Sequence, residues 1–140
     1  MCLLTNKTDY DIIKKNILCY KFGVADDQIF YSDITNFKYC REKLYSNDIS
    51  IQELPVEIQN MHHNCAYYID YGFHSYVDQD DCEEVSSKVR IFIIPKGSKV
   101  YKGFVNASSF KGYVSDRIIY TGYKNTWLNR LIVKILYMNK

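Results

Sequence analysis

The stretch Val89-Arg90-Ile91-Phe92-Ile93-Ile94-Pro95-Lys96-Gly97-Ser98 decides the architecture of this chain. Val89–Ile94 is a short apolar run rich in β-branched and aromatic residues, the pattern of a strand buried on both faces. Pro95-Lys96-Gly97 then reads as a turn, with Pro at its second position and Gly at its fourth. Ser98–Phe104 is expected to return as the partner strand, making a hairpin the anchor of the fold.

On the C-terminal side, Tyr113–Thr121 alternates Val114, Ile118 and Tyr120 with polar neighbours and reads as one further strand. The period then changes: Trp127, Leu128, Leu131, Ile132, Ile135 and Leu136 form a wide apolar face at helical spacing, with Thr126 as N-cap and Arg130 and Lys134 opposite. Such a helix is expected to cover its own sheet; the alternative is a basic amphipathic helix lying on a membrane surface.

Towards the N-terminus, Asp78–Ser87 carries its acids at the front, as a helix dipole favours. Cys65–Asp70 is β-like, and Gly72 breaks it before Phe73–Tyr76. Glu57–Asn64 is ambiguous, and Ser46–Pro55 is loop or edge strand. The offsets of Phe37, Cys40, Leu44 and Tyr45 predict a short helix over Thr35–Tyr45. Gln28–Tyr31 is a strand after a turn at Asp26-Asp27. Asn16–Phe22 is a strand ended by Gly23, preceded by a helical turn in Thr8–Lys15 with Ile12 and Ile13 facing inward.

With 140 residues, 47% apolar, 24% charged, 6 Gly and 2 Pro, the chain is expected to form one α+β domain with a mainly antiparallel sheet, a few short helices and a C-terminal amphipathic helix. This composition excludes intrinsic disorder and collagen-like material. No stretch approaches the roughly 20 apolar residues of a membrane span, and the start turns polar after four residues, so the chain reads as cytoplasmic. Cysteines at 2, 19, 40, 65 and 82 include no CxxC pair, which speaks for buried free thiols rather than a disulfide framework or zinc ribbon.

Charge is divided along the sequence. Residues 1–85 hold seven Lys/Arg and fifteen acids, a net −8, whereas residues 86–140 hold eleven Lys/Arg and one acid, a net +10. A basic segment interleaved with Tyr101, Phe104, Phe110, Tyr113, Tyr120, Tyr123 and Trp127 would suit nucleic acid, with cations for phosphate and rings for stacking. The alternative is that the two halves interleave in space and the asymmetry disappears.

Few side chains point to chemistry. His74, beside a hydroxyl at a strand end, could orient a ligand or act as acid/base; otherwise it is a histidine bonded to a backbone carbonyl. His62-His63-Asn64-Cys65 is too crowded to supply a tetrahedral metal site from one segment. Lys96, Lys99 and Lys102 gather at the expected hairpin mouth, as anion contacts or as a solvated tip. No Walker A, GxGxxG, GxSxG, HExxH or EF-hand spacing occurs, so neither cofactor nor metal is expected.

Three local motifs, Tyr71-Gly72-Phe73-His74-Ser75-Tyr76, Ile93-Ile94-Pro95-Lys96-Gly97-Ser98 and Val114-Ser115-Asp116-Arg117-Ile118-Ile119, resemble a family of small phage and prophage proteins. The order of elements is also loosely similar to the mono-ADP-ribosyltransferase-like fold. That resemblance implies Lys21 as the first-strand basic residue and His74-Ser75 as the hydroxyl motif. The late Glu of that fold has no counterpart: residues 102–115 contain no acid, and Asp116 is the first. The expectation is therefore a non-enzymatic phage accessory protein that binds a host protein or a nucleotide-like anion, through Lys21, His74, Ser75, Tyr76, Lys96 and Asp116. The alternatives are an ADP-ribosyltransferase-like enzyme, intact or degenerate, and a nucleic-acid-binding protein using the basic C-terminal part.

Overall fold

A computed structural model describes residues 3–6, 9–32, 37–86, 88–105 and 108–138. The strands are β1 (Leu3–Thr5), β2 (Asp11–Ile12), β3 (Ile17–Ala25), β4 (Ile29–Ser32), β5 (Lys38–Cys40), β6 (Leu44–Ser46), β7 (Ser50–Glu53), β8 (Tyr67–Tyr71), β9 (Phe73–Tyr76), β10 (Val89–Ile94), β11 (Lys99–Val105), β12 (Lys111–Ser115) and β13 (Arg117–Lys124). Two α-helices, α1 (Gln79–Val85) and α2 (Trp127–Tyr137), and a 3₁₀ helix at Val56–Met61 complete the chain. With 51% strand against 18% helix, the fold is mainly β, and the expected α+β label describes it only loosely.

The named strand pairings are antiparallel, in the order β6-β13-β10-β3-β9-β12-β11-β1-β8-β7, and the sheet curls into a half-barrel. Its inner face holds Cys19, Phe30, Tyr39, Phe73, Phe92, Ile94, Val100, Tyr113, Ile118 and Tyr120 in one buried cluster. Tyr20, Tyr76, Val89, Ile91 and Ile93 point to the other face, against Cys82 of α1 and Val133 of α2. All six residues of β10 are buried, as expected of a strand covered on both sides.

The expected hairpin is corrected. β10 pairs with β3 and β13, and β11 pairs with β12, β1 and β2, so Ser98–Phe104 is not the partner of Val89–Ile94. Both edges of β10 are already occupied. Residues 89–105 instead form one long arm that pairs with 111–124, closed near its tip by Val105 N–H donating to Phe110 O at 2.8 Å. Pro95–Ser98 is the corner where this ribbon bends.

The other arm bends at Asp116, which splits the expected strand Tyr113–Thr121 into β12 and β13. Contacts across the bend hold the corners together: Lys99 N–H donates to Asp116 Oδ1 at 2.8 Å, and Arg117 Nη2 donates to Lys96 O at 2.7 Å.

Three further expectations change. The helix over Thr35–Tyr45 is absent among the described residues, where β5 and β6 stand instead; positions 33–36 lie outside them. Alternation, not helical spacing, brings Phe37 and Tyr39 into ring contact at 4.7 Å, and Leu44 is exposed. β3 continues through Gly23 to Ala25, because Gly23 permits the close approach of Tyr31 O, which would lie 2.3 Å from an added Cβ. The segment before it contributes β2 rather than a helical turn; Ile12 is exposed and Ile13 alone joins the core, while Thr8 lies outside the described residues.

Other readings hold. Asp26 Oδ1 accepts from the amides of Gln28 and Ile29, forming the turn before β4. Asp78 and Thr126 cap α1 and α2 with their side chains. Cys19, Cys65 and Cys82 are buried and free. In the sheet the basic-half pairs β13-β10 and β12-β11 are separated by the acidic-half pair β3-β9 and flanked by β6 and by β1-β8-β7, so the charge division of the sequence is interleaved in blocks. Among the described residues no helix is long and apolar enough to cross a membrane.

Candidate functional site

The bent ribbon carries the tripeptides Lys102-Gly103-Phe104 and Lys111-Gly112-Tyr113 directly opposite each other. Gly103 pairs with Gly112, Lys102 with Tyr113, and Phe104 with Lys111. Residues two apart on a strand share a face, so both lysines and both rings project from the inner face as a checkerboard. They line a trough of about 420 Å³ together with Val77, a volume in the range of small-molecule sites, and among the described residues no acid lines it. The His63 ring stacks on Phe104 with centroids 4.3 Å apart, backing one wall.

Ser75 is the register partner of Tyr113 and shares this face. Its Oγ is buried without a hydrogen bond of normal geometry, the Cys19 thiol being the polar group beside it. Burial pushes that thiol up to about 12, so it is a neutral wall group rather than a nucleophile.

Lys21 projects from the same side of β3. Its ammonium donates to the main-chain oxygen of His74 and lies 5.8 Å from the Tyr39 ring centroid. Burial holds Lys21 down to about 8, only partly opposed by Cys19 and Cys82. Lys21 and Ser75 are thus brought to one face, behind the trough.

The other expected site residues do not join them. The His74 imidazole leaves β9 on the opposite face, where Nδ1 meets Gly72 O at 3.1 Å and Nε2 meets Ile69 O at 2.9 Å. Burial holds it down to about 4, against the pull of the Ile69 carbonyl, so at neutral pH it is an uncharged structural histidine. His74 and Ser75 therefore do not converge on one ligand, and the transferase-like set does not assemble.

Tyr76 is buried on that opposite face, 6.1 Å from Phe22 between ring centroids. Lys96 is exposed at the corner, its amide donating to Asn16 Oδ1, and Asp116 caps Lys99. Lys99 lies over Tyr10, on the other side of β11 from Lys102, so the three lysines do not cluster.

Sequence reasoning missed Lys102, Phe104, Lys111 and Tyr113 as a set. The signal was present as a repeated Lys-Gly-aromatic tripeptide, and it becomes legible only once the two copies are known to be register partners. Comparison with protein families, with curated proteins and with solved structures gives no match.

Proposed function

We propose that this chain is a non-catalytic binding protein whose inner-face trough takes a small anion bearing a planar ring, a nucleotide-like ligand. The observation that carries the reading is the checkerboard of Lys102 and Lys111 with Phe104 and Tyr113, lined by no acid among the described residues. Two diagonal ammonium groups suit one phosphate or carboxylate. The half-buried Phe104, stacked on one side by His63, offers the ring surface for a base or aryl group, while the buried Tyr113 forms part of the wall. Ser75, the register partner of Tyr113, is buried beside the trough with a hydroxyl that lacks a regular partner.

The expected binding of a nucleotide-like anion thus keeps its ligand class but changes its residues. Lys102 and Lys111 take the place of His74 and Asp116, whose side chains are engaged in structural contacts, and of Lys96, which is exposed at the corner away from the trough.

The test is a thermal-shift screen with inorganic phosphate, nucleoside mono- and diphosphates and simple aryl carboxylates, since a ligand of the native state raises the midpoint by mass action. Anions that carry a ring should stabilise more than phosphate alone. The exposed double variant Lys102→Glu/Lys111→Glu should melt like the parent yet bind at least about tenfold more weakly. Equal responses of parent and variant across the screen would remove the proposal.

A further inference from the structure

Helix α2 turns Trp127, Leu131 and Ile135 outward instead of laying them on the sheet. A second exposed ring, His63, behaves otherwise: it lies flat on Phe104, with centroids 4.3 Å apart and planes 13° from parallel. The backbone beneath it is unusual. Among the described residues Glu42, His63 and Asn64 are the non-glycine positions with positive φ, and the last two follow one another at 56° and 55°. Successive left-handed residues are costly for L side chains. Such a turn persists only where its surroundings hold it, and it is characteristic of ligand clamps.

The arm that carries this turn has little share in the core. Its 3₁₀ helix, Val56–Met61, contains no buried residue. The base of the arm is pinned instead. Cys65 is buried and its N–H donates to His62 O at 2.9 Å, while Ala66 N–H donates to Asn6 Oδ1 at 2.8 Å and Leu54 N–H to Ala66 O at 2.8 Å. These contacts fix where His63 stands. They do not explain why an exposed imidazole gives up its rotamer freedom to lie on a ring of β11.

The strand register supplies the reason. Phe104 has Leu4 of β1 on one side and Lys111 of β12 on the other. His63 precedes β8, the strand next beyond β1, so it reaches Phe104 from the β1 side. The trough lies on the β12 side, and His63 is not among its lining residues. The imidazole therefore covers the face of Phe104 turned away from the trough and leaves the other face open to it. A ring backed in this way is held in the plane it offers.

We infer that His63 is a positioning residue that, by backing Phe104, makes the trough prefer anions carrying an aromatic ring over the anion alone. The inference rests on the trough being the ligand site. It assigns ring preference to the stack and leaves the attraction for charge to Lys102 and Lys111.

The test titrates adenosine monophosphate and inorganic phosphate into the full chain, followed by amide shifts. His63→Ala should bind the nucleotide about fivefold more weakly, the scale of one lost aromatic pair, with phosphate affinity and melting midpoint unchanged. His63→Phe, which keeps a flat ring, should restore most of the loss. In the ligand-free parent the His63 ring protons should be shifted upfield by the Phe104 ring current, and Phe104→Leu should remove that shift. A His63→Ala chain that keeps the parent's preference for nucleotide over phosphate, or that loses both anions in step, would overturn the inference alone. Unshifted His63 ring protons in the parent would do the same. A parent that binds neither anion would remove the trough reading and this inference with it.

Discussion

Gly103 and Gly112 are register partners across β11 and β12, and each stands where a side chain has no room. A Cβ on Gly103 would lie 2.1 Å from Leu4 O, and one on Gly112 would lie 2.7 Å from Val105 Cγ2. The pair makes room for β1, the neighbour of β11 in the sheet, whose Leu3 side chain lies over both glycines on the outer face, while the lysines and rings that flank them are directed to the inner face. Packing on one side of the sheet thus determines the geometry of the trough on the other.

The two glycines differ in what a methyl group meets. At Gly103 it meets main chain, which cannot yield without moving β1; at Gly112 the nearest atom is the end of a valine side chain. Gly103→Ala is expected to cost about 3 kcal/mol and Gly112→Ala about 1 kcal/mol in denaturant unfolding. Equal costs, or a larger one at Gly112, would contradict the packing described for β1.

His74 gives the fold a defined acid limb. Its native pKa is held at about 4, below the ordinary 6.5, so between these values the unfolded chain binds the proton and the native one does not. Stability from this residue is full above pH 6.5 and is lost as pH falls towards 4, up to about 3 kcal/mol. Carboxylates also titrate there, so the measurement is the difference between parent and His74→Gln in unfolding free energy across pH 4–7. That difference should narrow as pH falls; parallel profiles would contradict the assignment.

Lys21 works in the other direction. Burial lowers its native pKa to about 8 from 10.5, so at neutral pH the folded state carries a charge that it holds at a cost. Lys21→Met keeps the volume and removes the charge, while losing the bond to the His74 carbonyl. A net gain of about 1 kcal/mol at pH 7 is expected from these opposed effects. The gain should shrink as pH rises through 8, where the native lysine discharges; a gain that grows with pH would contradict it.

What could be read in advance followed the reach of each signal. The double-sided burial of Val89–Ile94, the acids at the front of the helix that starts after Asp78 and the Thr126 cap are local properties, and each appears as expected. Pro95-Lys96-Gly97 reports that the chain changes direction, but a corner and a hairpin share that chemistry. The partner of β10 is decided by β3 and β13, more than twenty residues away in either direction. Helical spacing in Trp127–Tyr137 identifies the helix without saying which side meets the sheet, because Asn129 and Arg130 found main-chain and amide partners there. Lys21 and Ser75 stand out only through the family resemblance, not through their burial, and the trough depends on register, which no single segment carries.

The most direct measurement is an amide ¹H–¹⁵N correlation spectrum recorded while a nucleoside monophosphate is titrated into the full chain. The expected result is saturable shifts confined to Lys102–Phe104, Lys111–Tyr113 and their neighbours Ser75 and Val77, abolished in Lys102→Glu/Lys111→Glu. A spectrum in which those amides stay still while the nucleotide binds elsewhere, or does not bind at all, would contradict the account.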